Sequence, residues 1–438
     1  MRTIKSLVGA VAFVSSMGAC KWTEFDDLEK DSWVSVTSKP NGDSTDYGVA
    51  IQRGALASPS GGKLVAFGAG DAQFTEIVYT AGGDSDLAPT ALKLNNQFGV
   101  GNLDPQPILL ADPSSDEVAL ITNAGGQSIA VLSGTGGLVA HQLFGPEQPD
   151  AAAYMLAPPR VDTMAVHPSQ PIVASGDAVY GTIYMAAPPT QPKCQLLDAA
   201  GVAVQVRGIG GAKITQTGAM ATDDIVVWAA AGATGKLLLY SGGIFNGAAP
   251  APATPPNGIG TCIDGTTNGV SRPLPLSTAV DTSFVPGKGS QIIMLDRRYA
   301  LLVGRKDAEG YLAIYDVTTM TGANLTPTRL SPPITLPDLR TATVLDTGSA
   351  KYVVAGYPGA TVENVKAGKV LVFPLDFTSG IDETPAMTLY DASPESDQAF
   401  GRAVAVTPFN GKNVIAVGAD NEVFLYFRTL LYDDTRQQ

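Results

Sequence analysis

The chain has 438 residues, 45% of them hydrophobic and only 16% charged, with a formal net charge of −13. That length allows two or three ordinary domains or one large closed β-architecture. The negative charge argues against nucleic acid as a partner, because phosphate binding needs clustered Lys and Arg. Two histidines, His141 and His167, leave little material for His-based metal or acid–base sites. Gly (48) and Pro (31) are numerous but scattered, which fits a turn-rich all-β chain better than disorder or collagen.

At the N-terminus, Arg2 and Lys5 precede a short apolar run, Leu7 to Val14, and small residues Gly18 and Ala19 lead to Cys20. The run is too short to cross a hydrocarbon core about 30 Å thick, so it reads as an export signal rather than an anchor helix. Met17-Gly18-Ala19-Cys20 resembles a bacterial lipobox. The resemblance implies a signal peptide over residues 1–19, cleavage before Cys20, and acyl chains on its thiol and new amine. Two or more acyl chains anchor a protein firmly, so the expected membrane partner is reached through lipid on Cys20. Residues 20–32, with Glu24, Asp26, Asp27 and Glu29, read as an acidic tether, and 33–438 as the folded body. Lys21 stands where Asp would suggest inner-membrane retention, so the resemblance places the anchor in the outer membrane, on its periplasmic side or at the cell surface. The alternative is an ordinary secretory signal with a chance cysteine.

Beyond the tether, long helical periodicity is missing. A short apolar run, a turn and a second apolar run recur instead. In chain order the pairs are Leu64–Ala69 with Glu76–Tyr79, Glu117–Ile121 with Ser128–Leu132, and Ile172–Ala174 with Thr182–Tyr184. They continue with Ile225–Trp228 and Leu237–Tyr240, Ala300–Gly304 and Tyr311–Tyr315, Tyr352–Gly356 and Val370–Phe373, and Val414–Ala419 and Glu422–Tyr426. Seven copies spaced roughly 50–70 residues apart point to four-stranded units, each with two apolar faces that only stacking on neighbours would bury. Gly68, Gly304, Gly356 and Gly418 end the first run of their pairs, where bulk would obstruct close packing or a sharp turn. The fold class expected is all-β, a seven-bladed β-propeller of four-stranded blades. Its last unit is completed either by Thr429–Tyr432 or by Trp33–Val36 from the N-terminus.

Asp397-Gln398-Ala399-Phe400-Gly401-Arg402-Ala403-Val404-Ala405, followed by Val414–Ala419, resembles the FG-GAP repeat of integrin-α-type propellers. Tyr47–Ala50 with Gly68-Ala69, and then Phe98-Gly99, resemble it progressively less. The resemblance implies an extracytoplasmic propeller used for adhesion or protein contact, often with calcium in Asp-rich loops between the first two strands of a repeat. In the best repeat that loop, Thr407 to Lys412, has no carboxylate. The one calcium candidate is Asp112, Ser114 and Asp116; it lacks the central glycine and competes with a solvated turn.

No other cofactor and no catalytic residue is expected. Gly61-Gly62-Lys63 lacks the rest of a phosphate loop, and neither a Gly-x-Ser-x-Gly elbow nor His-Glu-x-x-His occurs. His167 reads as part of a turn, and Asp223-Asp224 and Asp433-Asp434 as solvated strand ends. With Cys20 acylated, Cys194 and Cys262 remain, and in an exported chain they most simply form one disulfide, worth about 4 kcal/mol. Two buried thiols are the alternative. The bond would staple two Pro-rich loops, Pro188–Cys194 and Ala248–Pro256, on one rim. The function expected is a lipid-anchored, non-enzymatic envelope or surface protein presenting a propeller face to a protein or glycan partner. One alternative is a periplasmic scaffold for outer-membrane assembly, since Ala233–Tyr240 faintly resembles the repeat of a propeller lipoprotein that assists barrel insertion. The other is a propeller hydrolase.

Overall fold

The computed structural model describes residues 33–36, 50–53, 61–68, 73–80, 90–93, 108–111, 118–124, 127–132, 138–143, 149–155, 170–180, 193–215, 223–242, 274–322, 324–391, 394–409, 412–420 and 422–426. These residues are all-β, arranged in several antiparallel sheets. The first sheet holds Ala50–Arg53, Gly61–Gly68, Gln73–Thr80 and Thr90–Lys93, and the second Ile108–Ala111, Val118–Ala124, Gln127–Leu132 and Leu138–Leu143. The third holds Ala151–Met155, Gln170–Ser175, Ala178–Tyr180 and Lys193–Gln195. The fourth holds Gln205–Ala212, Asp224–Ala231, Thr234–Tyr240 and Val280–Asp281. In each, strand order in space follows strand order in sequence.

The fifth and sixth sheets depart from the four-strand plan. Glu309–Asp316 pairs with both Thr328–Arg329 and Ile334–Pro337, and Lys369–Asp376 pairs with both Gly380–Ile381 and Met387–Leu389. The outer strand is thus broken in two. In the fifth sheet the break falls at Ser331-Pro332-Pro333, where proline has no N–H to offer the ladder. These sheets begin with Gln291–Leu295 and Thr341–Asp346, followed by Tyr299–Lys306 and Lys351–Tyr357.

The seventh sheet draws on both ends of the chain. Ala403–Phe409, Lys412–Ala419 and Glu422–Tyr426 form a meander, and Trp33–Val36 adds the fourth strand, with Trp33 opposite Tyr426 and Val36 opposite Val423. Of the two ways the sequence offers to complete this unit, the N-terminal strand is the one observed; Thr429–Tyr432 lies outside the described residues.

Most expected pairs occur in register. Ile225 lies opposite Tyr240, Ala300 opposite Tyr315, Gly356 opposite Val370 and Ile415 opposite Tyr426. The third pair is different. The partner of Gln170–Ser175 is Ala178–Tyr180, because Gly176, at φ +58°, and Asp177 turn the chain at once. Thr182–Tyr184 lies outside the described residues.

The apolar runs are nearly continuous because both faces of a strand are covered, each by a different sheet. Ile225 and Val227 join the cluster shared with the third sheet, whereas Val226 and Trp228 join the cluster shared with the fifth. Leu301 and Val303 face the sixth sheet while Ala300 and Leu302 face the fourth. Phe400, Val404, Ile415 and Phe424 pack on Leu345, Val354 and Val372 between the sixth and seventh. Burying a side chain of this size stabilises by about 1.5–3 kcal/mol, so these interfaces carry the fold.

Close approach is bought with glycine where the sequence places it. A Cβ on Gly304 would lie 2.7 Å from the rings of both Phe284 and Trp228. One on Gly356 would collide with the carbonyl oxygen of Gly401. In the Phe-Gly pair, Phe400 is wholly buried against Phe424, its N–H donating to Ala367 O at 2.7 Å, and Gly401 turns the chain at φ +88°.

Candidate functional site

The leading strand of each sheet, which in the seventh is Ala403–Phe409, lies against the leading strand of at least one neighbouring sheet. Ala50–Arg53 touches Ile108–Ala111 on one side and Ala403–Phe409 on the other. Ala151–Met155 touches both Ile108–Ala111 and Gln205–Ala212, and the latter touches Gln291–Leu295. Thr341–Asp346 touches Ala403–Phe409. Gln205–Ala212 can come close because it is glycine-rich: Gly208 faces Ile292, and Gly210 faces Met294. Gly208 against Ile292 and Gly210 against Met294 also means that these two strands run in the same direction.

Four arginines lie at or beside the leading ends of these strands. Arg207 is the extra residue of a β-bulge between Val206 and Gly208, a device that re-aims a side chain. It reaches the neighbouring sheet and pairs with Asp150 at 2.6 Å, while Asp150 also accepts from Gly176 N at 2.8 Å. Arg305 is the last residue but one of the second strand of the fifth sheet, where its backbone N–H and C=O both bond the Ser290 hydroxyl and its C=O also accepts from Gly287 N. Arg340 immediately precedes the leading strand of the sixth sheet, its N–H donating to Gly356 O at 3.1 Å. Arg402 holds the same position in the seventh, with its N–H on Gly418 O and its guanidinium paired with Asp420.

Backbone contacts tie these positions to one end. Asp338 N bonds Ala308 O, linking the turn after Arg305 to the segment before Arg340, and Gly356 lies against Gly401, beside Arg402. Burial, together with the positive charges of Arg340 and Arg402, pushes the Arg305 guanidinium down to about 10. It stays protonated at neutral pH, but the direction reports a cation in unfavourable surroundings. Among the described residues no carboxylate pairs with Arg305 or Arg340.

The buried acidic residues do something else. Asp223 and Asp224 are 5% and 0% exposed, so they are not the solvated strand end that the sequence suggests. Asp224 accepts hydrogen bonds from Thr215 N at 2.7 Å, Thr215 Oγ1 at 2.8 Å and Gly242 N at 3.1 Å, and Asp223 pairs with Arg297. They hold the loops flanking the second strand of the fourth sheet. A carboxylate committed to several donors is a staple, not an acid–base pair.

Cys194 lies in Lys193–Gln195, fully buried and disulfide-bonded, its partner outside the described residues. Cys20, Cys262, the Asp112, Ser114 and Asp116 loop, His167 and Asp433-Asp434 also lie outside them, as does most of both Pro-rich loops. His141 falls in Leu138–Leu143. Among the described residues, no three His, Cys, Asp or Glu residues are grouped to hold a metal ion, and no helix is long and apolar enough to cross a membrane. Sequence reasoning missed the arginine row. Its signal was the phase: Arg305 follows Gly304, which ends an apolar run, and Arg340 and Arg402 each precede one.

No protein-family profile and no curated protein sequence matches the chain. Solved structures do resemble it. A chain of a humanized mutant of the Chaetomium thermophilum Polycomb Repressive Complex 2, bound to the inhibitor GSK126, aligns at TM-score 0.50 and 11% identity, covering 91% of this chain and 97% of that one. A chain of the apo complex from the same fungus, in an autoinhibited state, aligns at TM-score 0.50 and 13% identity, with the same coverage. At such identity the likeness concerns the fold alone.

Proposed function

We propose that the protein is a lipid-anchored, non-enzymatic binding protein of the cell envelope, whose sheets are the blades of a seven-bladed β-propeller related to the FG-GAP type. The observation that carries the architecture is the seventh sheet: a strand from the start of the chain completes a meander from its end, the joint a closed ring needs. Leading-strand contacts that pass from sheet to sheet, and apolar clusters lying between consecutive sheets, support the same reading. Phe400 and Gly401 support the FG-GAP relationship, the first as a plug between sheets and the second as the turn.

The anchor rests on the lipobox-like Met17-Gly18-Ala19-Cys20, Lys21 after it favours the outer membrane, and the partner is a protein or glycan met by one propeller face. The disulfide partner of Cys194 is Cys262, an arrangement that leaves Cys20 for lipid. Membrane fractionation tests the anchor: the wild type pellets with membranes, and Cys20→Ala releases it to the soluble fraction. Protease shaving of intact cells then separates surface display from the periplasmic side. Cross-linking followed by capture tests the partner; recovery of barrel-assembly components would replace the binding module with an assembly scaffold.

A further inference from the structure

We propose that the leading end of the fifth, sixth and seventh sheets is an oxyanion site, in which Arg305 and Arg340, flanked by Arg402, take a carboxylate or phosphate group carried by the partner. This deepens the binding reading above and rests on it for the identity of the face.

The argument starts from charge. The chain carries −13 overall, so a place where positive charge accumulates without compensation runs against the whole molecule. Among the described residues three other arginines are matched by carboxylates, Arg297 by Asp223, Arg298 by Asp316 and Arg207 by Asp150, while the exposed Arg329 lies by Tyr315. Arg402 is matched by Asp420. Between Arg207 and Arg402 stand Arg305 and Arg340, half-buried and without a carboxylate among the described residues. Arg305 is partly withdrawn from water and feels the charges of Arg340 and Arg402, the Asp338 N–Ala308 O bond holds its segment to that of Arg340, and an anion beside it gives the cation a more favourable state.

The type of cation specifies the ligand. A guanidinium offers parallel N–H donors in a planar fork that matches the two oxygens of a carboxylate or phosphate. Gly289 leaves room beside that fork: its Cα lies in the left-handed region at φ +84°, and a Cβ there would be 3.5 Å from Arg305 Nη1. A long polyanion is the wrong partner, because the rest of the molecule repels it. A single oxyanion on a protein side chain, chain terminus or acidic sugar fits.

The test is a titration of the purified protein with inorganic phosphate and, separately, with succinate, at ionic strength held constant with chloride. Saturable binding is expected, with a rise in Tm that chloride does not give. Arg305→Gln and Arg340→Gln each weaken it about tenfold, the scale of a lost charge-assisted hydrogen bond. Arg298→Gln, which breaks a pair at the far end of the same sheet, binds as the wild type does. Without anion, Arg305→Gln does not lower Tm, because it removes an uncompensated cation; a purely structural arginine would do the reverse. Phosphate binding alone assigns a phosphoryl ligand, and succinate binding alone a carboxylate. If neither anion acts beyond chloride, or if both glutamine variants bind like the wild type, the site does not exist. The titration needs neither membrane nor partner, so its failure is separate from failure of the fractionation and cross-linking experiments.

Discussion

At Gly304 a hydrogen is the only side chain that fits. Trp228, Phe284 and Tyr311 close over it, with Trp228 Nε1 donating to Thr282 Oγ1 at 3.0 Å and Tyr311 Oη donating to Thr282 O at 2.6 Å. Gly304→Ala therefore forces this cluster apart, and chemical denaturation is expected to show a loss of about 1–3 kcal/mol. Asp224→Ala is expected to cost about 2–4 kcal/mol, because it removes a buried carboxylate that accepts from Thr215 N, Thr215 Oγ1 and Gly242 N. A third residue-scale expectation concerns acid. Burial raises Asp316, but hydrogen bonds from Arg298 and Thr318 outweigh it and hold the carboxyl below its ordinary value; Lys351, with help from Gly348, does the same for Asp346 against a smaller opposing effect of burial. Both groups bind fewer protons folded than unfolded, so they contribute stability above the unfolded carboxylate value of about 3.9, and lose it as pH falls through the lower folded value. Tm is expected to drop between about pH 5 and pH 3, and less steeply in Arg298→Gln. The packing role of Gly304 and Gly356 was legible in the sequence, since each ends an apolar run. The burial of Asp223 and Asp224 was not, because Arg297, which neutralises one, is far away in the chain.

Among the elements, hairpins were the most legible. Two apolar runs with a short turn between them leave one sensible register, and Ala300 opposite Tyr315 follows directly. The third pair failed because a two-residue turn at Gly176-Asp177 closes the hairpin sooner than the next apolar run suggests. The split outer strands failed for a related reason: once Pro332-Pro333 or Asp382-Glu383-Thr384-Pro385 interrupts a ladder, the chain re-pairs only after the interruption. The most exposed dependency at this scale is Trp33–Val36. Deleting residues 33–36 leaves Glu422–Tyr426 as a bare edge and removes a four-residue ladder, at a cost of about 2–4 kcal/mol. Thermal denaturation should show a lower Tm together with concentration-dependent association, since an unpaired edge templates pairing with other chains.

For the molecule as a whole, interdependence follows from strands whose two faces belong to different clusters. The fourth sheet cannot lose its fold without stripping both the third and the fifth. Calorimetry is therefore expected to give one cooperative transition, and two well-separated peaks would mean lobes that fold independently. The arginine row also belongs to this scale. Arg207, Arg305, Arg340 and Arg402 have nothing in common locally except phase, and only the way the sheets succeed one another brings them to one end. That is why composition, which reports an acidic chain, gave no warning of Arg305 and Arg340, which form no ion pair among the described residues.

The N-terminal strand of the seventh sheet has a consequence in time. Of the described strands Trp33–Val36 is made first, and Glu422–Tyr426, which it must join, is made after all the others. Until then the earliest described strand has no template, and a nascent chain holds it unpaired while the strands of the other six sheets are made. Truncated products, lacking the final meander, would never sequester that strand. The join thus works as a check on the strands it links, since Trp33–Val36 is covered only in chains that have been read through Tyr426.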